Sequence, residues 1–326
     1  EFIDAQSLLV LSRKSAPRGE FLRMDISQLP EVSATPLVAE SELALGSDFY
    51  NDPTFIVHDG RIYAQRLLGG PEDLGVYDLD GQLQASPDLG VAGVGQIVPW
   101  DDGVLVRHYS YLAPNAWLQF DGKHTSKHPL SSTSPVSFAG YKASRGLATS
   151  KDGTRVPVNI IMAEGARLDG SNPLLLTGYG GYGISLSPGF NASRMVWLEQ
   201  GGIIAIANLR GGGEFGEEWH QQGMLTSKQN VFDDFHAVMR YLVEEKYTSV
   251  DKLAIEGGSN GGLLMGAIIT QHPGDFRATV SHVGVYDSVR SELTPNGAFN
   301  IPEFGTVKDP DQFKALNAYS PYHNAG

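Results

Sequence analysis

The sequence predicts two regions of different class, an all-β region over residues 1–135 and an α/β region over 136–326. Three observations carry that expectation. Short apolar stretches broken by Asp-Gly turns fill the first region, without long helical periodicity. From about residue 145, strand-like and helix-like segments alternate. A serine bracketed by glycines, Gly257-Gly258-Ser259-Asn260-Gly261-Gly262, stands between an apolar run and a helix-like segment.

Composition narrows the function classes. At 326 residues the chain is long enough for two domains, because single cores stop growing near roughly 250–300 residues. A hydrophobic fraction of 41% rules out general disorder. The net charge of -13 argues against a nucleic-acid partner, whose phosphates demand basic patches. No run of about 18 apolar residues exists, so no membrane partner is expected. The absence of cysteine excludes thiol catalysis, disulfides and cysteine-ligated metal. The chain starts at Glu1 without a leader and stops at Gly326 without a closing element. An internal piece of a larger protein is therefore expected, with cytoplasmic and periplasmic locations both open.

In the first region a weak repeat is visible. Ile56-Val57-His58-Asp59-Gly60-Arg61-Ile62-Tyr63 resembles Val98-Pro99-Trp100-Asp101-Asp102-Gly103-Val104-Leu105, with Gly60 and Gly103 separated by 43 positions. Val76-Tyr77-Asp78-Leu79-Asp80-Gly81 resembles Leu118-Gln119-Phe120-Asp121-Gly122, with the glycines 41 apart. A period near 40 with about four strands per unit is that of propeller blades. Leu8 to Leu11 and Phe21 to Asp25 fit part of another blade. On spacing alone, a generic all-β domain with Asp-Gly hairpins fits equally well.

In the second region, strands are expected at Val156–Ala163, Leu174–Leu176, Ile203–Ala207, Leu253–Ile255 and Ala278–Val280. Helical segments are expected at Asn191–Gln200, Val231–Glu245 and Leu263–His272. Strand and helix in this order imply a parallel sheet covered on both faces, with its chemistry in loops at the carboxyl ends of the strands. Tyr179, Arg210 and Ser259 all follow such strands.

A glycine-flanked serine between strand and helix has the form of a nucleophile elbow, where a Cβ on either side would clash as the two backbones close. Alone, the pattern also fits an ordinary tight turn. The elbow supplies one oxyanion donor, the N–H of Asn260, and the glycine-rich loop from Gly178 to Gly183 stands where the second is found. Tyr179 in that loop offers its phenol.

Tyr179-Gly180-Gly181-Tyr182, Asn208-Leu209-Arg210-Gly211-Gly212-Gly213-Glu214-Phe215-Gly216, Trp219-His220, Phe232-Asp233-Asp234-Phe235 and the Ser259 motif together resemble the prolyl oligopeptidase family of serine peptidases. Ser150-Lys151-Asp152-Gly153-Thr154-Arg155-Val156-Pro157 resembles the start of that family's hydrolase domain. The resemblance implies a partial α/β-hydrolase fold over 136–326, truncated before its acid and histidine, preceded by the last two to three blades of a β-propeller over 1–135. It implies a monomer acting on short peptides, with the propeller selecting by size, and neither cofactor nor metal. Ser259 becomes the acylated nucleophile, and Tyr179 and Asn260 the oxyanion donors. The Arg210 loop is expected either to shape the rim or to pack. Asp233 and Asp234 are expected to be structural, at the start of a helix where carboxylates favour the dipole.

The acid and histidine should follow serine in that order. His323 is the tempting base, but it lies only 64 residues beyond Ser259, and the fold still needs further strand–helix units. It is expected to be structural, with the true partners beyond Gly326. Tyr182 and Phe299 are the candidate substrate contacts, Phe299 standing where proline cleavers carry tryptophan. Glu303 keeps open a pocket for basic residues. The competing functions are an esterase or acylaminoacyl-type peptidase, and a propeller interaction protein with a dead hydrolase domain.

Overall fold

The computed structural model describes residues 1–46 and 54–326, which fall into two compact units. The first comprises Glu1–Ser137 with Ser187–Asn191 and Phe215–Glu218. The second comprises Phe138–Leu186, Ala192–Glu214 and Trp219–Gly326.

The first unit is built from antiparallel sheets in which, apart from the β5–β7 pairing, neighbouring strands follow one another in sequence. Strands β1 (Phe2–Asp4), β2 (Ser7–Ser12), β3 (Glu20–Asp25) and β4 (Ser33–Val38) form one sheet. In the next, β5 (Ala44–Leu45) and β6 (Phe55–His58) both pair with β7 (Arg61–Leu67), followed by β8 (Glu72–Asp78) and β9 (Leu83–Ala85). The third contains β10 (Ala92–Trp100), β11 (Gly103–Ser110), β12 (Ala116–Phe120) and β13 (Thr125–Lys127).

Consecutive sheets share buried clusters. Leu9 and Phe21 pack with Leu45, Ile62, Ala64 and Tyr77. Ile56, Tyr63, Leu74 and Val76 pack with Val94, Ile97, Val104, Val106 and Phe120. Antiparallel sheets of four or five strands stacked in this way are propeller blades, and the repeat in the sequence marks equivalent hairpins. One detail differs. Asp59-Gly60 is the two-residue turn between β6 and β7, with φ of 45° and 68°. In the next sheet the equivalent turn is Asp101-Asp102, and Gly103 is the first residue of β11. The register between blades is therefore one residue shorter than the glycine spacing suggests.

The second unit carries β14 (Tyr141–Thr149), β15 (Arg155–Ala163), β16 (Leu174–Gly178), β17 (Ile203–Ala207), β18 (Leu253–Gly258) and β19 (Ala278–His282) in one sheet of order β14-β15-β17-β16-β18-β19. The sheet is mixed rather than all-parallel. β14, β15 and β17 pair antiparallel, whereas β17, β16, β18 and β19 run parallel. Its helices are α1 (Arg194–Leu198), α2 (Glu217–Gln221, whose first two residues fall in the first unit), α3 (Gln229–Glu244), α4 (Asn260–Gln271), α5 (Ile301–Phe304) and α6 (Pro310–Tyr319). The segment from Asn191 to Gln200 is thus helical only at its centre.

Val231, Phe232, Phe235, Val238, Met239 and Leu242 recur at helical spacing, and all are buried against the sheet. α4 is buried almost throughout its first nine residues. β19 is the edge strand, and Val280 on it is 47% exposed, so one face of the sheet is open there. Among the described residues, no helix is long and apolar enough to cross a membrane.

Candidate active site

β18 runs straight into α4, and Ser259 is the joint. Its backbone lies at φ 57° and ψ −117°, outside the regions that an L-residue occupies without strain. The turn is fixed from both sides. The Ser259 N–H donates to the His282 carbonyl on β19 at 2.9 Å, and the Ser259 carbonyl accepts from Gly262 and Leu263 at 2.9 and 3.1 Å. A Cβ at Gly257 would lie 2.3 Å from the Gly261 carbonyl oxygen, and one at Gly262 2.6 Å from the Gly284 Cα. Gly258 differs from the expectation for this motif, because the atom nearest a Cβ there is 3.6 Å away. The close approach is made by Gly257, not by the glycine directly before the serine.

Ser259 is exposed, and its hydroxyl has no hydrogen-bond partner among the described residues. Asn260 is the first residue of α4 and is 2% exposed. The leading N–H groups of a helix have no intrahelical acceptor, so the Asn260 N–H is disposed for an anion held at Ser259. Its side chain has a second task that the sequence did not reveal. The Asn260 amide donates to the Tyr179 carbonyl, which ties the loop after β16 to the elbow. Gly181 makes room for this, since a Cβ there would lie 2.6 Å from the same amide nitrogen.

A buried polar group holds that loop from below. Lys228, immediately before α3, is fully buried, and its Nζ donates to the Gly180 carbonyl at 3.0 Å and to Glu303 Oε1 at 2.8 Å. His220 Nε2 lies 2.8 Å from the other Glu303 oxygen. Burial alone would raise the Glu303 carboxyl, but the His220 hydrogen bond and the Lys228 charge outweigh it and hold it below the ordinary value. Burial pulls Lys228 down against the attraction of Glu303. Its Nζ meets these two acceptors at 3.0 and 2.8 Å. Both Glu303 oxygens are therefore engaged within this network.

Beside it, Tyr182 is half-buried with φ 57° and donates its hydroxyl to Asn300 Oδ1 at 2.7 Å. Burial, with the Glu303 charge adding to it, raises the Tyr182 phenol above its ordinary range, so it remains a neutral donor. Its ring stacks on Phe299 with centroids 6.2 Å apart and meets Phe304 edge-on at 5.7 Å. Phe299 is 76% exposed. The two residues meet as one aromatic surface.

Arg210 is not at the rim. It is 2% exposed, and its guanidinium grips Asp234 through Nε at 2.9 Å and Nη2 at 2.6 Å, with Asp152 at 2.5 Å from Nη1. Ser150 Oγ donates to the same Asp234 at 2.5 Å. Asp234 is the sixth residue of α3 rather than a first-turn residue, so its structural role is an ion pair and not a dipole contact.

Among the described residues, no histidine ring is hydrogen-bonded to the Ser259 hydroxyl. His323 Nδ1 sits 2.9 Å from Ser320 Oγ, a local contact in the turn after α6. The His282 and His272 rings turn to Glu256 and His236 respectively.

A strained serine between a parallel strand and a buried helix, beside a glycine loop that follows a neighbouring strand, defines an α/β-hydrolase. Residues 188–326 match the family model described as the prolyl oligopeptidase family. A prolyl endopeptidase of Elizabethkingia miricola is 32% identical over 98% of this chain and 45% of its own length. An uncharacterized peptidase of Sinorhizobium fredii is 41% identical over 68% of this chain and 31% of its own. A solved structure from an analysis of two prolyl endopeptidases superposes with a TM-score of 0.88 at 36% identity, over 98% of this chain and 47% of that one. Over residues 188–326 the chain matches the prolyl oligopeptidase family. It spans less than half the length of these relatives.

Proposed function

We propose that this chain carries the nucleophile and oxyanion site of a serine oligopeptidase that cleaves short peptides through an acyl-enzyme on Ser259. The observation that carries the reading is the strained backbone of Ser259, which presents an exposed, unengaged hydroxyl at the end of β18. In this reading, Ser259 Oγ attacks the scissile carbonyl carbon as its proton passes to a general base. The carbonyl oxygen becomes an oxyanion that accepts from the Asn260 N–H and the Tyr179 hydroxyl. Collapse expels the amine with the returned proton, and water then releases the acid by the same steps in reverse.

Lys228 and Asn260 act by holding the Tyr179 loop in place before substrate arrives. The base and its acid partner are assigned outside residues 1–326, because every histidine here is turned to another group. The aromatic pair Tyr182 and Phe299, together with the sequestered Glu303, favours an apolar residue such as proline on the acyl side over a basic one.

The test is fluorophosphonate labelling of residues 1–326 and of the longer protein that contains them. Ser259 should label fast only in the longer protein, and Ser259→Ala should abolish labelling there. Fast labelling of residues 1–326 that is lost in His323→Ala would overturn the assignment of the base. With the longer protein, cleavage after arginine in preference to proline would overturn the assignment of the pocket.

A further inference from the structure

His236, His272 and Asp275 meet outside the hydrolytic site, where α3 passes the C-terminal end of α4. His236 lies on α3, His272 caps α4, and the Asp275 N–H bonds back to the His272 carbonyl at 3.2 Å. His236 Nε2 is 2.7 Å from Asp275 Oδ2, and His272 Nδ1 is 3.9 Å from the same oxygen. One ligand atom from each residue lies within 4.8 Å of the other two. A tetrahedral ion with bonds of about 2.0–2.1 Å spaces its donors roughly 3.3 Å apart, and the observed separations straddle that value.

The local charges suit a cation. Asp275 and Asp233 both act on the His272 ring from their own elements, opposed by the largely exposed Lys151 and by His236. Burial first, then the neighbouring His236 ring, holds His272 below the ordinary imidazole value. The three side chains are 20%, 26% and 45% exposed, and solvent reaches them. The two rings are stacked, with centroids 3.6 Å apart and planes within 10°. Parallel rings cannot both aim their lone pairs at one ion, so binding turns at least one of them about χ2, a soft torsion in imidazole.

We propose that His236, His272 and Asp275 form a site for a divalent transition ion of the zinc class, with water as the fourth ligand. Two imidazoles and one carboxylate suit such an ion, whereas Mg²⁺ and Ca²⁺ demand oxygen. The ion takes the place of the His236 Nε2–H that faces Asp275, and the ring carries its proton on Nδ1 instead. Bound there, it ties α3 to the end of α4, and this is independent of the hydrolytic reading.

The test is calorimetric titration of chelator-stripped protein with Zn²⁺ and, separately, Mg²⁺, alongside thermal unfolding. One Zn²⁺ per chain, no heat with Mg²⁺ and a higher melting temperature with Zn²⁺ are expected. His272→Gln and Asp275→Asn, both at solvent-reachable positions, should each lose the Zn²⁺-dependent rise while keeping the metal-free melting temperature. Absence of Zn²⁺ binding would overturn the proposal. So would a Zn²⁺ response that persists in both variants, since it would belong to other histidines.

Discussion

Ser259 keeps a backbone conformation that costs about 1–3 kcal/mol, and the residues around it must supply the constraint. Gly257 is the sharpest part of it, so Gly257→Ala should force the elbow open, with a loss of about 1–3 kcal/mol and of probe labelling in the longer protein. Gly258→Ala should change neither, and equal effects in urea unfolding would contradict this account. Glu214 gives a second prediction at this scale. It is fully buried, and its Oε2 has no hydrogen-bond partner among the described residues. Burial pushes its carboxyl up from 4.5 to about 7, against hydrogen bonds from the Leu186 N–H and the Asn208 amide. Between those values the folded state holds a proton that the unfolded state has lost. Stability should therefore fall as pH rises through that window, by about 3 kcal/mol in all, and level off above it. Glu214→Gln should remove that slope in denaturant unfolding measured from pH 5 to 8. The turn at Ser259 was legible in the sequence because three glycines around it, Gly257, Gly261 and Gly262, have a steric reason to be there. The buried contacts of Lys228 and Glu303 were not, because 75 residues separate partners whose types alone suggest a solvated surface.

At the scale of elements, apolar periodicity located α3 and the central strands to within a few residues. It failed where polar contacts decide. Asp234 reads as a helix-start carboxylate, but α3 begins at Gln229 and the acid pairs with Arg210 inside the fold. The motifs at Ser150, Arg210 and Asp234 are therefore one buried network, although sequence alone left the Arg210 loop a choice between rim and packing. The loop after β16 depends on another such network. Lys228→Met would leave the Gly180 carbonyl without its donor and Glu303 without its counter-charge, at a cost of about 3–5 kcal/mol. Adding Glu303→Gln should recover part of that loss, giving a non-additive double-mutant cycle in urea unfolding. Strict additivity would mean that the two residues do not act as a pair.

Across the whole molecule, the Asp-Gly hairpins of the first unit and the strand–helix alternation of the second differ in rhythm, since each reflects a different side-chain period. The spacing could not choose between blades and generic hairpins, because that depends on how sheets stack, which Phe21 with Ile62, and Tyr63 with Phe120, reveal only once each pair is buried in one cluster. The antiparallel side of the hydrolase sheet was equally hidden, since β15 and β17 are both buried runs and strand direction leaves no trace in composition. The edge strand β19 has a bearing on how this polypeptide behaves at high concentration. Its outer N–H and C=O groups face no neighbouring strand among those described, and Val280 and Val283 are 47% and 86% exposed. Such an edge is a template on which a second copy can add its own strand. Residues 1–326 should therefore sediment as a mixture that shifts to larger species with loading concentration, and Val280→Lys should suppress that shift. The strand that steadies Ser259 through the His282 carbonyl would then also be the one by which copies of the polypeptide find each other.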